Sequence, residues 1–221
     1  MRSTQVGNVL IEWLGHAGFL LKGQGKVVFI DPYVLPDGLG YDGDADIILL
    51  THEHFDHCNP ESIRTVRGGT TTTLIPENVS LQFKGDARRV LEGDLLTGEL
   101  SIKGVNIEVV PAYNLEKPNH PRGEGVGYIV ELDGIRIYHA GDTDLIPEMK
   151  DLKADVALLP ISEPYTMNEE EAADAAVLIG PKIAIPMHYG CVEGTEADPQ
   201  RFKELVNEKA PDIEVIILQD C

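Results

Sequence analysis

The sequence predicts a mixed α/β fold, and three observations lead to it. Apolar runs of about four to seven residues, many rich in Val and Ile, recur between turn residues in the manner of buried strands. A few intervening segments open instead with helix-capping side chains. Several of the apolar runs lead directly into histidine or aspartate, and in α/β proteins such strand ends gather ligands along one sheet edge.

Taken in order, the runs place strands over residues 9–14, 19–22, 26–30, 47–51, 72–75, 100–103 and 105–110, then 126–132, 135–138, 156–159, 183–185 and 213–218. The pair 126–132 and 135–138 flanks Asp133-Gly134, a spacing and composition that favour a two-residue type I′ hairpin. Asn59-Pro60-Glu61 and Asp198-Pro199 each set a capping side chain before a proline at the first helical position, where a missing N–H costs nothing. Asn168 caps a third helix that opens Glu169-Glu170-Glu171, suited to the positive end of the helix dipole, and Gly180-Pro181 stops it. Gly123-Glu124-Gly125-Val126-Gly127 lacks the Lys-Ser/Thr of a phosphate loop and runs into a strand, so it reads as a turn leading into the hairpin.

The 221 residues suit one domain over 1–221, at a size where folding buries about 70% of the unfolded chain's surface. Lys plus Arg is 18 and Asp plus Glu 37, a net charge of −19, which disfavours nucleic-acid binding because that depends on Lys and Arg contacts. The amino terminus has no apolar stretch behind a basic start, and no apolar window approaches a membrane span. Cys58, Cys191 and Cys221 are odd in number and lack CxxC spacing, which speaks against a disulfide framework and for a reducing compartment. The expectation is therefore a cytoplasmic protein with a small-molecule substrate and no membrane or nucleic-acid partner; its oligomeric state stays open, a homo-oligomer included.

The most specific motif is Thr51-His52-Glu53-His54-Phe55-Asp56-His57, of the form HxHxDH immediately after an apolar strand. Three imidazoles and a carboxylate in six residues have little packing value, because each buried polar group needs its own partner. They do supply the nitrogen and hard-oxygen donors that suit zinc, iron or manganese. In a tight turn, alternate residues His52 and His54 can point to one metal while Asp56 and His57 face a second.

With Ile137-Tyr138-His139-Ala140-Gly141-Asp142-Thr143 and Pro186-Met187-His188-Tyr189, this motif resembles the metallo-β-lactamase superfamily. Trp13-Leu14-Gly15-His16-Ala17-Gly18, followed by Asp31-Pro32, is similar to the branch containing ascorbate-6-phosphate lactonase and the N-acyl-phosphatidylethanolamine phospholipase D enzymes. The resemblance spans about residues 9 to 190 and implies a four-layer αββα sandwich with a dinuclear site between the sheets. It implies two divalent cations, zinc first with manganese or iron as alternatives: His52 and His54 on the first, Asp56, His57 and His188 on the second, and Asp142 bridging. The family also expects a central histidine on the first metal, and here Asn114 stands in its place. Either His120, in Lys117-Pro118-Asn119-His120-Pro121, loops back to supply the ligand, or the first metal is weakly held.

His139 reads equally as support for Asp142, as a proton donor, or as a buried ring bonded to backbone. His16 reads as support near the site, Cys191 and Cys58 as packed thiols, and Glu163, Tyr165 and Met167 as candidate pocket residues. The function implied is hydrolysis of a small, anionic ester, lactone or phosphodiester by a hydroxide bridging two metals, with Asp56 orienting the nucleophile or accepting its proton. A di-iron redox protein on the same fold and a non-catalytic metal-binding scaffold are the alternatives.

Overall fold

In the strand Val9–Gly15, Val9, Ile11 and Trp13 join a large central core while Leu14 joins a second, smaller cluster. Successive side chains of a pleated strand point to opposite faces, so a sheet that is apolar on both must be covered twice. The computed structural model, which describes residues 1–36, 40, 43–80 and 85–219, does this with two seven-stranded sheets.

The first sheet contains, in spatial and chain order, β1 (Ser3–Val6), β2 (Val9–Gly15), β3 (Gly18–Gly23), β4 (Lys26–Ile30), β5 (Ala45–Leu49), β6 (Arg67–Pro76) and β7 (Ala87–Val90). The second contains β8 (Leu95–Leu96), β9 (Asn106–Ala112), β10 (Gly125–Leu132), β11 (Ile135–His139), β12 (Val156–Pro160), β13 (Ile183–Met187) and β14 (Glu214–Val215). Each sheet is antiparallel through its first four strands and parallel through its last four. The inner faces meet in the central core, where Trp13, Phe19, Ile30 and Leu49 of the first sheet join Val109, Tyr128, Ile137 and Leu158 of the second.

Three α-helices among the described residues cover the outer faces. Helix α1 (Pro60–Val66) lays Ile63 and Val66 on Leu14, Leu20, Phe29 and Ile48, the outer face of the first sheet. Helices α2 (Glu169–Ile179) and α3 (Pro199–Lys209) pack on each other and on the second sheet, burying Ala172, Ala173, Ala176, Phe202 and Val206. The layers run α1, sheet, sheet, α2/α3, the expected αββα order. All three predicted caps form, with Asn59, Asn168 and Asp198 each accepting two backbone N–H bonds. Among the described residues no helix is long and apolar enough to cross a membrane.

The hairpin at Asp133-Gly134 forms as predicted, with both residues at positive φ, 48° and 76°. Several expectations are corrected. Residues 100–103 make no strand: a 3₁₀ turn (Gly98–Leu100) precedes them, and Lys103 at φ 52° followed by Gly104 turns the chain after one isolated bridge, Ile102 to Val105. The run 213–218 keeps only Glu214–Val215 as strand. Gly125 belongs to β10 itself rather than to the turn before it. Cys191 is disulfide-bonded, since sequence spacing does not fix which cysteines meet in space; this removes the support that cysteine usage gave to a reducing compartment. Cys221 lies outside the described residues.

Gly127 illustrates how closely the strand ends are packed. A Cβ there would stand 2.9 Å from the His139 carbonyl and 3.0 Å from that of Ala140, both backbone atoms at the entry to Asp142. Gly127→Ala is expected to destabilise the protein by about 1–3 kcal/mol in chemical denaturation, as overpacking does. Gly69→Ala, where a Cβ meets nothing within 4 Å, should stay within about 0.5 kcal/mol.

Candidate metal centre

The parallel halves of the two sheets deliver their chemistry at the carboxyl ends of strands. Asp31 follows β4, Thr51 and His52 lie just past β5, Asp142 follows β11, Ser162 follows β12 and His188 follows β13. His16 and Asn114 come from β2 and β9, which run the same way in their sheets. The backbone N–H of His188 donates to the His16 carbonyl at 2.9 Å, fastening one half to the other at the site. His16, Asp31 and His188 all sit at positive φ, at 52°, 44° and 62°. That region is disfavoured for residues with a Cβ, and such strain persists where the surroundings over-determine it, often at functional sites.

Three imidazoles form the first cluster. His52 Nε2 lies 3.0 Å from His54 Nδ1, and His120 Nε2 lies 3.3 Å from the same atom. The opposite edges of two of these rings are already committed. Thr51 Oγ1 donates to Asp31 at 2.6 Å, so it accepts from His52 Nδ1 at 3.0 Å. Asn114 Oδ1 accepts both the backbone N–H and the Nδ1–H of His120, at 3.0 Å each. Its amide nitrogen donates to Asp144 Oδ1 and the Tyr165 carbonyl, which fixes which way the amide faces. His52 and His120 therefore turn nitrogen lone pairs toward His54 Nδ1, and a cation at that point would take all three nitrogens. Three nitrogens on a tetrahedral zinc at about 2.0–2.1 Å would stand about 3.3 Å apart, and the observed spacings fit.

The second cluster is built from His57, His188, Asp56 and Asp142. His57 Nδ1 meets Asp31 Oδ2 at 2.8 Å and His188 Nδ1 meets Ser162 Oγ at 2.6 Å, leaving both Nε2 atoms facing inward. These two nitrogens and Asp142 Oδ1 are buried without a hydrogen-bond partner. They are nevertheless close: His57 Nε2 to Asp142 Oδ1 is 3.3 Å and His188 Nε2 to Asp142 Oδ2 is 3.0 Å, near but not aligned as hydrogen bonds. Asp56 Oδ2 lies 4.0 Å from both nitrogens. Asp142 Oδ2 also lies 3.2 Å from His120 Nε2, so this one carboxylate touches both clusters. Unpaired buried polar atoms are costly and uncommon, and metal coordination would satisfy them.

The charges are arranged accordingly. Burial opposes ionisation of Asp142, but His188 and His57 override it and hold its carboxyl well below the usual range. Burial likewise opposes charge on His57, and Asp142 and Asp31 outweigh it to raise that imidazole well above its ordinary value. For His52 burial dominates and, with His57 adding repulsion, lowers it well below 6.5. Burial lowers His16 to about 4, so at neutral pH it is an uncharged ring donating Nε2–H to Asp56 Oδ2 at 2.9 Å. Asp56 resists the effect of its own burial and falls to about 2 through that bond and the charge on His57.

Every sequence-predicted ligand, His52, His54, Asp56, His57, His120, Asp142 and His188, lies in this one constellation. The open choice between Asn114 and His120 resolves in position: His120 reaches the cluster and Asn114 holds it there. His139 is bonded at both ring nitrogens to backbone, Ala17 O at 2.8 Å and Gly141 N at 3.2 Å, and fixes the turn into Asp142 rather than facing the site. Cys58 packs in the outer cluster, its thiol pushed up to about 12 by burial. Tyr165 lines the cavity over the centre, Met167 is in the core, and Glu163 does neither. The sequence reading missed the supporting roles of Asp31, Thr51 and Ser162. A polar residue directly after an apolar strand was the available signal for Asp31 and Thr51, and none marks Ser162.

Two cavities of about 360 and 370 Å³ open on either side of His54 and His120. Comparison with known proteins agrees with the geometry. Residues 10–188 match the family model described as a beta-lactamase superfamily domain. The chain is 37% identical to a UPF0173 metal-dependent hydrolase of Methanopyrus kandleri, over 95% of this chain and 96% of that one. Among solved structures it is similar to a protein of Parabacteroides distasonis assigned as a metal-dependent hydrolase (36% identity, TM-score 0.81, 98% of this chain and 96% of that one). It is also similar to a metallo hydrolase of Ignicoccus hospitalis (27% identity, TM-score 0.76, 96% and 95%).

Support for a ligand's far nitrogen is commonly worth about 10–100-fold in metal affinity. Asn114→Ala, which frees His120 Nδ1, should weaken zinc binding by about that factor in competition against a chromophoric chelator, with the fold intact by circular dichroism.

Proposed function

This chain belongs to the metallo-β-lactamase superfamily and is a metal-dependent hydrolase; on that premise we propose that it holds two divalent cations, zinc at both positions, and hydrolyses a small ester, lactone or phosphodiester. The observation that carries this reading is Asp142, a buried carboxylate in contact with both donor clusters, beside ring nitrogens that no protein group satisfies. His52, His54 and His120 would hold the first cation and Asp56, His57 and His188 the second, with Asp142 shared. Such cations, when bound, would lower the pKa of a bound water toward neutrality and polarise a carbonyl or phosphoryl oxygen.

The chain's own residues supply the rest. Asp31, Asn114 and Ser162 hold the far nitrogens of His57, His120 and His188, so the three rings meet substrate and metal without reorganising. Asp56 is partly exposed to the cavity, and its carboxylate, held ionised, would orient the attacking water rather than take up its proton. His16 fixes that carboxylate through its Nε2–H. The scaffold alternative rested on a missing histidine, and the position of His120 beside His52 and His54 supports the hydrolytic reading over it.

Elemental analysis of protein purified without chelator should find about two zinc ions per chain, falling to about one in His120→Ala. On a panel of aryl esters, lactones and phosphodiesters, Asp142→Ala should lose about a thousandfold or more in kcat/KM, as expected when several kcal/mol of transition-state stabilisation is removed. Turnover by the fully loaded protein no faster than the same zinc free in solution would sink the hydrolytic reading.

A further inference from the structure

The walls of the two cavities carry a charge pattern that metal ligation does not explain. Among the described residues neither cavity is lined by a lysine or arginine. One is walled by Phe55, Tyr165, Val192 and Glu193, the other by Glu53, Asn78 and Glu124. Lys117, three residues before His120, is bound to Asp144 Oδ1 and the Thr166 carbonyl, each at 2.7 Å, and lines a different cavity. Arg122 is engaged by Glu92 and Glu148. A substrate with a second anionic group away from the reacting centre would thus meet carboxylates and no counter-charge, on a chain whose net charge is already −19.

The first cavity offers the opposite recognition. His188 and Asp142, which carry buried atoms without a hydrogen-bond partner, are among its lining residues and mark the reacting end. Above them Phe55, 66% exposed, Tyr165 and the exposed carboxylate of Glu193 surround the space that the rest of a substrate must occupy. Aromatic faces and a carboxylate without a cationic side-chain partner are how proteins hold ammonium groups. The Phe55 ring packs against Tyr33 in a T-shaped contact, centroids 5.9 Å apart.

We propose that this cavity takes a cationic arm: the substrate is an ester or phosphodiester whose non-reacting portion carries an ammonium group, seated between Phe55, Tyr165 and Glu193. The inference rests on the hydrolytic reading for the reacting end and adds the charge of the remote end. For a phosphodiester, water oxygen bonds to phosphorus, the P–O bond to the leaving alkoxide or aryloxide breaks, and the ammonium-bearing phosphate monoester departs with release of a proton.

Three 4-nitrophenyl phosphodiesters separate the possibilities, identical but for an arm ending in trimethylammonium, in tert-butyl or in carboxylate. The zinc-loaded protein should prefer the cationic arm to its uncharged isostere by about five- to tenfold in kcat/KM, with the carboxylate arm poorer still, and the ratio should shrink as salt is raised. Glu193→Gln should collapse the preference to within about twofold. Calorimetric binding of the matching non-hydrolysable phosphonates gives the same ranking without turnover. Equal or better binding of the tert-butyl arm, or a preference that survives Glu193→Gln, overturns the inference and leaves hydrolysis standing. A cationic preference in binding that vanishes in Glu193→Gln, with no turnover of any diester, instead supports the cationic arm and removes phosphodiester hydrolysis.

Discussion

The carboxyl group of Asp31 is the constraint on which the site depends. It has no exposure to solvent, and a carboxylate in that position is tolerated only when its oxygens are fully engaged. Thr51 N–H and Thr51 Oγ1 occupy it from the end of β5, at 2.8 and 2.6 Å, and His57 Nδ1 reaches it at 2.8 Å from the turn beyond. One group thereby ties the ends of β4 and β5 together, orients His57, and through Thr51 Oγ1 sets the tautomer of His52. A ring in each donor cluster is aimed from a single buried point. Asp31 adopts φ 44° to do this, strain accepted where the surrounding bonds leave no alternative.

The second sheet repeats the device with different chemistry. Each sheet runs through three antiparallel pairings and then three parallel ones, so each half brings parallel strand ends to the same rim. Where the first half uses Asp31 to steady His57, the second uses Ser162 after β12 to steady His188 after β13. The bond from His188 N–H to the His16 carbonyl joins the halves, and the His16 and His188 rings lie 3.9 Å apart between centroids. Asp142, after β11, enters between them. Each cluster draws on both halves, His52 and His54 meeting His120 in one and Asp56 and His57 meeting His188 in the other, and a carboxylate placed after β11 touches both.

Much of this was legible in the sequence, and what was not has physical reasons. HxHxDH could be read because its donors are local: a turn of six residues fixes their relative placement almost without tertiary context. His120 could not be assigned, because its position depends on a loop closed by Asn114, whose backbone N–H donates to the His120 carbonyl at 2.7 Å and whose side chain returns two bonds. The residue standing where a histidine was expected became the clamp for the histidine that replaced it. The central strands were visible as apolar runs, whereas β1, β7 and β8 lie at or near sheet edges with half-exposed or charged residues such as Arg88 and Arg89, and carry little periodicity. The run at 100–103 looked like a strand by composition, but the backbone turn at Lys103-Gly104 ended it.

Strands and loops divide the labour at this site, the strands holding the donors and the loops shaping the space around them. Most of the donors and their supports stand at or just beyond strand ends, where the ladder of the sheet fixes the backbone and a buried partner fixes the ring. The rest of the cavity walls comes instead from Glu53 and Phe55, Asn78 and Val79, Asn119 and Glu124, Tyr165, and Val192, Glu193 and Thr195, all outside the strands. Exchanging Phe55 or Glu193 touches no sheet hydrogen bond and leaves Asp31, Ser162 and Asn114 in place. Substrate preference can therefore drift from one relative to another while the donor constellation stays fixed, because a site built on rigid elements keeps its geometry when its loops vary. For the same reason, fold and donor set alone do not identify a substrate; the charge of the cavity wall is the part of this molecule that discriminates.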